Sequence, residues 1–283
     1  MTTPASGIRI GIDAANIRLG GGVTHLIELL SAVDPSKDQI EGIYIWAGQQ
    51  TLQALPERVW LKKVNPPSLD KGIWHRIFWQ AFCLSKAVKA AKCDVLLVPG
   101  GSYVGSFRPV VTMSQNLFPF EWSAISKNGF SFRAIKFMLL RLIQSMSFKR
   151  SQGIIFLTQY AKDVVSKVTA PMHGKSIVIA HGIHSHFENR PKAQLPITQY
   201  SKDNPYQLLY VSMIDVYKHQ PEVVLAVDQL RRKGYPLTLA LIGPSEPRAL
   251  SALEETIGFL RQPQEWLHIL GAVSYKDLVL EYQ

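Results

Sequence analysis

Ile8-Arg-Ile-Gly-Ile-Asp-Ala-Ala-Asn-Ile-Arg-Leu-Gly-Gly-Gly-Val-Thr-His-Leu-Ile-Glu-Leu-Leu-Ser-Ala32 changes period in the middle. Ile8–Ile12 is a short β-branched run, Gly20–Gly22 let the backbone turn tightly, and Val23–Ala32 places apolar residues at helical spacing. The same alternation runs through the chain. Further strand candidates are Ile43–Ala47, Val95–Val98, Val110–Met113, Gly153–Leu157, Ser176–Ala180, Gln207–Ser212, Leu237–Ile242 and Leu267–Leu270. Helical periodicity marks Gly72–Ala91, Ser131–Lys149, Tyr160–Val168, Pro221–Lys233 and Arg248–Leu260. The strands read as continuous hydrophobic runs and not as polar–apolar alternation, the pattern of strands covered by helices on both faces. This order predicts an α/β fold of doubly wound parallel sheets.

Working outward, the polar stretch Glu188–Pro205 carries three prolines and little periodicity. It divides the chain into a domain 1–187, a linker 188–205 and a domain 206–283. The charge divides there too. Residues 1–200 hold 23 basic and 11 acidic side chains, a net of +12, whereas 201–283 hold 8 and 10, a net of −2. A polyanionic neighbour of the first domain follows: membrane lipid, nucleic acid or a phosphorylated substrate. No helix-turn-helix, zinc-finger or RNP pattern accompanies the charge, so a basic module binding nucleic acid is the alternative and not the leading reading. Two cysteines, Cys83 and Cys93, exclude a disulfide scaffold and a cysteine-based zinc cluster. The polar start and the absence of a spanning apolar run predict a cytoplasmic protein, peripheral at most on the cytoplasmic face of a membrane. The second domain supplies only three strand–helix units before Gln283, from which a C-terminally truncated chain is expected.

Four features could carry chemistry. Gly20–Gly22 precede a helix whose free N–H groups attract an anion, but about seven residues separate them from the first strand, and the dinucleotide fingerprint fails. In Tyr210–Gln220, Lys218 sits between a strand and a helix, placed to neutralise a diphosphate. His181-Gly-Ile-His-Ser-His186 holds three histidines, yet no i, i+4 pair on a helix, so a strand-end turn around Gly182 is preferred to a metal site. Finally, Trp122–Lys162 contains seven Lys or Arg and no acid. Within it Phe132, Ile135, Leu139, Leu142 and Met146 form one helical stripe, flanked by Arg133, Lys136, Arg141, Lys149 and Arg150. A second acid-free helix, Gly72–Lys92, carries Trp74, Phe78, Trp79 and Phe82. Such helices face either an anionic lipid interface or the protein's own core; both readings stay open.

Taken together, these segments resemble the retaining nucleotide-sugar glycosyltransferases of GT-B fold, the large family-four group. Gly20–Gly22 are similar to the family's glycine loop after the first strand, and Val111–Pro119 to its strand leading to an H-D-x-x-P loop. Ile154–Asp163 resembles V-S-x-x-x-K/R-D, and Ile177–Ile183 resembles V-I-x-N-G-V. Tyr210–Gln220, Leu241–Pro244 and His268–Ser274 resemble the opening of the nucleotide-binding domain. The resemblance implies two Rossmann-like domains, a nucleotide sugar held by the second and an acceptor, lipid-linked or glycan, received by the first. It implies transfer without metal or other cofactor and with retention at the anomeric carbon, in cell-surface polysaccharide or glycolipid synthesis. Gly21, Gly22 and Lys218 match positions for the donor diphosphate, where positive groups and N–H donors stabilise the leaving group. Gln115, Asn116, His181, Gly182 and Gly243 match the donor and acceptor cleft. Arg133, Lys136, Arg141 and Lys149 would face the membrane. No residue is assigned as catalytic. This chain has Gln115-Asn116 where the family often has His before Asp, and Met213 where many members carry arginine. The E-x7-E segment would lie beyond Gln283. A sugar-nucleotide epimerase of similar layout would need a carboxylate pair, and none is placed.

Overall fold

A computed structural model describes residues 7–18, 20–121, 132–183, 187–188 and 193–282, with Phe132, Arg133, Tyr275 and Lys276 described by their backbone only. The chain forms two compact units, Met1–Gly182 and Ile183–Gln283.

In the first unit, β1 (Ile8–Asp13), α1 (Gly21–Ala32), β2 (Ile40–Trp46), α2 (Gln49–Ala54) and β3 (Leu61–Val64) are followed by a long helical run. That run comprises α3 (Ile73–Phe78), a π-turn over Trp79–Cys83, and α4 (Leu84–Ala90). Then come β4 (Val95–Val98), β5 (Val110–Ser114), α5 (Phe132–Arg150), β6 (Gly153–Phe156), α6 (Gln159–Thr169) and β7 (Lys175–Val178). The seven strands are parallel in the order β3-β2-β1-β4-β5-β6-β7. The direction of winding reverses between β1 and β4, which places a topological switch point at their carboxyl ends. Core residues lie on both faces of the sheet. Ile12, Leu26, Leu30, Ile43 and Ile45 pack around α1, whereas Trp46, Leu84, Val88, Leu96, Val98 and Val110 pack under α4.

Two short elements, β3 and α2, escaped the sequence reading. The former is an edge strand of only four residues with Lys62 and Lys63 at its centre, and the latter a single helical turn and a half; neither shows a full period of apolar residues.

The orientation of α5 takes its stripe out of the core. Ile135, Leu139, Leu142 and Met146 point outward, with Leu142 62 % exposed. Its inner face is Ala134, Gln144, Ser147 and Phe148. Ser147 Oγ accepts from Tyr103 N at 2.7 Å, and Gln144 Nε2 donates to Gly100 O at 3.4 Å. The helix therefore buries Gln144 and Ser147 together with Ala134 and Phe148, while the apolar stripe faces away from the sheet. Trp74, Phe78 and Phe82 are likewise exposed on the earlier helical run, while Trp79 packs into the core beneath. No helix among the described residues is long and apolar enough to cross a membrane.

The second unit consists of β8 (Tyr206–Val211), α7 (Gln220–Arg232), β9 (Leu237–Ile242), α8 (Pro247–Gly258), β10 (Leu267–Gly271) and α9 (Tyr275–Glu281). Its parallel sheet runs β10-β9-β8. Leu239, Leu241, Val224, Val227, Leu253 and Trp266 form a core of its own under α7 and α8. Gln207, Leu209, Thr238, Ala240, His268 and Leu270 line a cleft of about 920 Å³ that the linker residues Gln194 and Tyr200 border.

Candidate functional site

At the carboxyl edge of the first sheet, the glycine turn caps α1. Gly20 has φ 68° and ψ −151°, a conformation that strains any residue with a Cβ, and it caps α1 without a side-chain hydrogen bond. Gly21 faces open space: a Cβ there would meet nothing within 4 Å. No acidic residue occupies the first turn, and free N–H groups at such a helix start favour negative charge. Gln115 lies beside this turn, its Oε1 3.9 Å from where a Gly22 Cβ would be. Asn116 is spent on its own loop, accepting from Phe118 N at 2.9 Å.

His181 also reaches α1. Its ring lies 4.7 Å from that of His25 at an interplanar angle of 61°. Burial, and then the neighbouring imidazole, hold the His25 pKa below the usual histidine range, so this ring is neutral near pH 7. His25 Nε2 is buried and has no hydrogen-bond partner. A Cβ at Gly182 would meet nothing within 4 Å. Thus the glycine turn, Gln115 and the pair His25–His181 gather around the start of α1. His184 and His186 lie outside the described residues, and among the described residues no group of three or more His, Cys, Asp or Glu could hold a metal ion.

Like His25, two further residues at this edge were not singled out from the sequence. Asp13 ends β1 and is buried, and burial pushes its carboxyl up to about 6. The side chain of Gln80, delivered by the π-turn, donates to Asp13 Oδ2 and, at 2.9 Å, to Ser102 O, while its Oε1 accepts from Val104 N at 3.2 Å. One amide thereby ties β1 to the loop after β4 across the switch point. An aspartate closing an apolar strand was a legible signal. Gln80, 67 residues away, was not.

In the second unit, Lys218 lies in a 3-10 turn between β8 and α7. Tyr210 donates its hydroxyl to Lys218 O at 2.6 Å, and Lys218 Nζ sits 5.1 Å from the Tyr217 ring centroid. The turn leads through His219, at φ 60°, into the N-terminus of α7. Gly243 follows β9 with φ 146°, pressed so closely on Ser212 that a Cβ would stand 2.2 Å from Ser212 O. Met213 is exposed, and its carbonyl accepts from the buried Gln220 amide at 2.9 Å. A lysine, a helix N-terminus and a glycine-tight strand end thus share one sheet edge, and Glu222 in the first turn of α7 lies 3.2 Å from His219 Nδ1.

Of the residues read as membrane-facing, Lys136 and Lys149 are exposed and Arg141 is half-buried. The side chain of Arg133 lies outside the described residues.

No protein-family model matches this chain, and no curated protein matches it in sequence. Solved structures do. Anabaena Alr3699/HepE in complex with UDP and glucose aligns over 94% of this chain and 70% of its own, at 16% identity and a TM-score of 0.59. A glycosyltransferase from Rickettsia africae aligns over 98% and 71%, at 15% identity and a TM-score of 0.63. Sucrose-phosphate synthase from Thermosynechococcus elongatus aligns over 97% and 73%, at 12% identity and a TM-score of 0.62. At such identities the likeness is one of fold: the chain is α/β, and its two parallel-sheet units match the Rossmann-like domains of GT-B proteins.

Proposed function

We propose that the protein transfers a sugar from a nucleotide-diphosphate donor, with the second unit binding the donor and the first receiving the acceptor. The observation that carries the reading is the carboxyl edge of each sheet. In the first unit a glycine turn without a side-chain cap opens α1 beside Gln115; in the second, Lys218 precedes α7 and Gly243 follows β9 at the same sheet edge. Support comes from the fold shared with HepE, a protein solved with UDP and with UDP-glucose.

In this reading Lys218 and the N–H groups of α7 meet the charge that grows on the diphosphate as the glycosidic bond breaks. The departing group carries its negative charge to fixed positive groups, so no metal is required of the mechanism. The sugar is a hexose, transferred with retention at the anomeric carbon to a lipid-linked or polysaccharide acceptor at the cytoplasmic face of a membrane. These finer terms extend the family resemblance of the sequence.

The test is calorimetric titration with UDP, GDP and ADP, followed by the same nucleotides carrying hexoses. One of the three should bind, and Lys218→Ala should weaken it about tenfold, the loss of one charge-assisted contact to a diphosphate. Failure of all three to bind refutes the proposal, as does a Lys218→Ala variant of unchanged affinity. NMR of the anomeric proton in the product decides retention.

A further inference from the structure

At the opposite, amino-terminal edge of the first sheet lies a groove of about 530 Å³ that the function above does not use. Arg108 precedes β5, Lys149 and Arg150 end α5, and His173 and Lys175 flank the start of β7; all five line the groove, and no carboxylate lines it. None of the five makes an ion pair among the described residues. Cations at a helix C-terminus account for Lys149 and Arg150 alone. Arg108, His173 and Lys175 come from other elements and add like charge to the same space.

The groove is built, not frayed. Arg108 Nη1 donates to Phe107 O at 2.6 Å, and its guanidinium lies 5.5 Å from the Tyr103 ring centroid. Gly174 forms the floor, where a Cβ would stand 2.2 Å from Ser151 O. Gln152 Oε1 accepts from Val110 N at 2.9 Å, fixing the strand starts relative to each other. The outward apolar stripe of α5, Ile135, Met138, Leu139, Leu142 and Met146, runs toward this groove. Lys149 and Arg150 follow Met146 by three and four residues, so they prolong the same helix face.

We propose that α5 docks the protein on an anionic phospholipid bilayer, the apolar stripe entering the headgroup–acyl boundary and the groove taking a lipid phosphate. An exposed apolar helix face calls for a cover, and unrelieved positive charge at its end selects a negative one. The inference deepens the function proposed above and rests on it where it chooses a bilayer over another polyanion.

The experiment is co-sedimentation of the full chain with vesicles of 30 mol% phosphatidylglycerol in phosphatidylcholine, and with phosphatidylcholine alone. Binding is expected only to the anionic vesicles and should fall in 0.5 M salt. The variant Arg108→Gln/Arg150→Gln/Lys175→Gln should bind on the order of 100-fold more weakly, whereas Lys37→Gln/Arg58→Gln/Lys62→Gln, with equal charge removed before β2 and around β3, should stay within about threefold. Leu139→Ser/Leu142→Ser should lose at least about tenfold. If the groove variant does not fold, the single Lys175→Glu carries the prediction at about 25-fold. Equal losses in the groove and β3 variants would overturn the proposal, since net charge alone would then explain the binding. So would a wild-type chain that ignores anionic vesicles, or tighter binding of inorganic phosphate than of vesicles. A dimer that Leu139→Ser/Leu142→Ser makes monomeric without changing vesicle binding would assign the stripe to a second copy instead. UDP titration of the same proteins separates the two proposals: nucleotide binding without vesicle binding refutes the groove alone, and the reverse refutes the donor site alone.

Discussion

Asp13 is a carboxylate in a place that disfavours its charge. Desolvation raises its pKa, and the donors Gln80 and Ala15 N only partly oppose this. The folded pKa, about 6, exceeds the unfolded value of 3.8, so the unfolded chain releases this proton first as pH rises. Stability from this group is therefore complete below about pH 4 and lost as pH climbs through 6, by roughly 3 kcal/mol. Asp13→Asn abolishes the titration. Urea unfolding at pH 4, 5, 6 and 7 should show the stability difference between wild type and Asp13→Asn changing by about that amount across the range. A constant difference would mean that Asp13 ionises normally. The aspartate was visible in the sequence as the end of an apolar strand, but its burial depends on Gln80, brought there by a helix that returns across the sheet.

The helix α5 shows how far periodicity reaches at the next scale. Its stripe was legible, and so was its length to within a residue at each end. Which side faced the sheet was not, because an apolar stripe ordinarily marks the core. Here Ser147 and Gln144 hold the inner side through hydrogen bonds to the loop after β4. Ser147→Ala should leave Tyr103 N buried without an acceptor and cost about 1–3 kcal/mol. Leu142→Gln, on the outer side of the same helix, should cost under about 0.5 kcal/mol. Thermal or urea unfolding of the two variants checks the orientation: the reverse ranking would place the stripe in the core. Elsewhere the π-turn at Trp79–Cys83 escaped detection for a related reason, since one extra residue in a helical turn barely disturbs the hydrophobic pattern while redirecting Gln80.

Across the whole molecule, charge and cores are both partitioned. Residues 1–182 carry 21 basic and 10 acidic side chains, and 183–283 carry 10 and 11, so +11 and −1 make up the net +10. Leu253 is fully buried in a cluster drawn only from the second unit. Leu253→Ala should destabilise that unit by about 2–5 kcal/mol. Hydrogen exchange should quicken in β8, β9 and β10 while β1, β4 and β5 keep their protection; uniform quickening would show a single cooperative structure. The polar, proline-bearing stretch 188–205 indicated two bodies in the sequence, and the compact units divide at Gly182, a few residues earlier.

Local pattern determined the order of strands and helices, the parallel sheets that order demands and the glycine turn at α1, because burial on two faces and backbone freedom are written into neighbouring residues. The tertiary structure decided the rest. The joining of Asp13 to Gln80, the meeting of His25 and His181, the outward stripe of α5 and the cationic groove at its end each bring together residues far apart in the chain, and a pairing of that kind has no period to read.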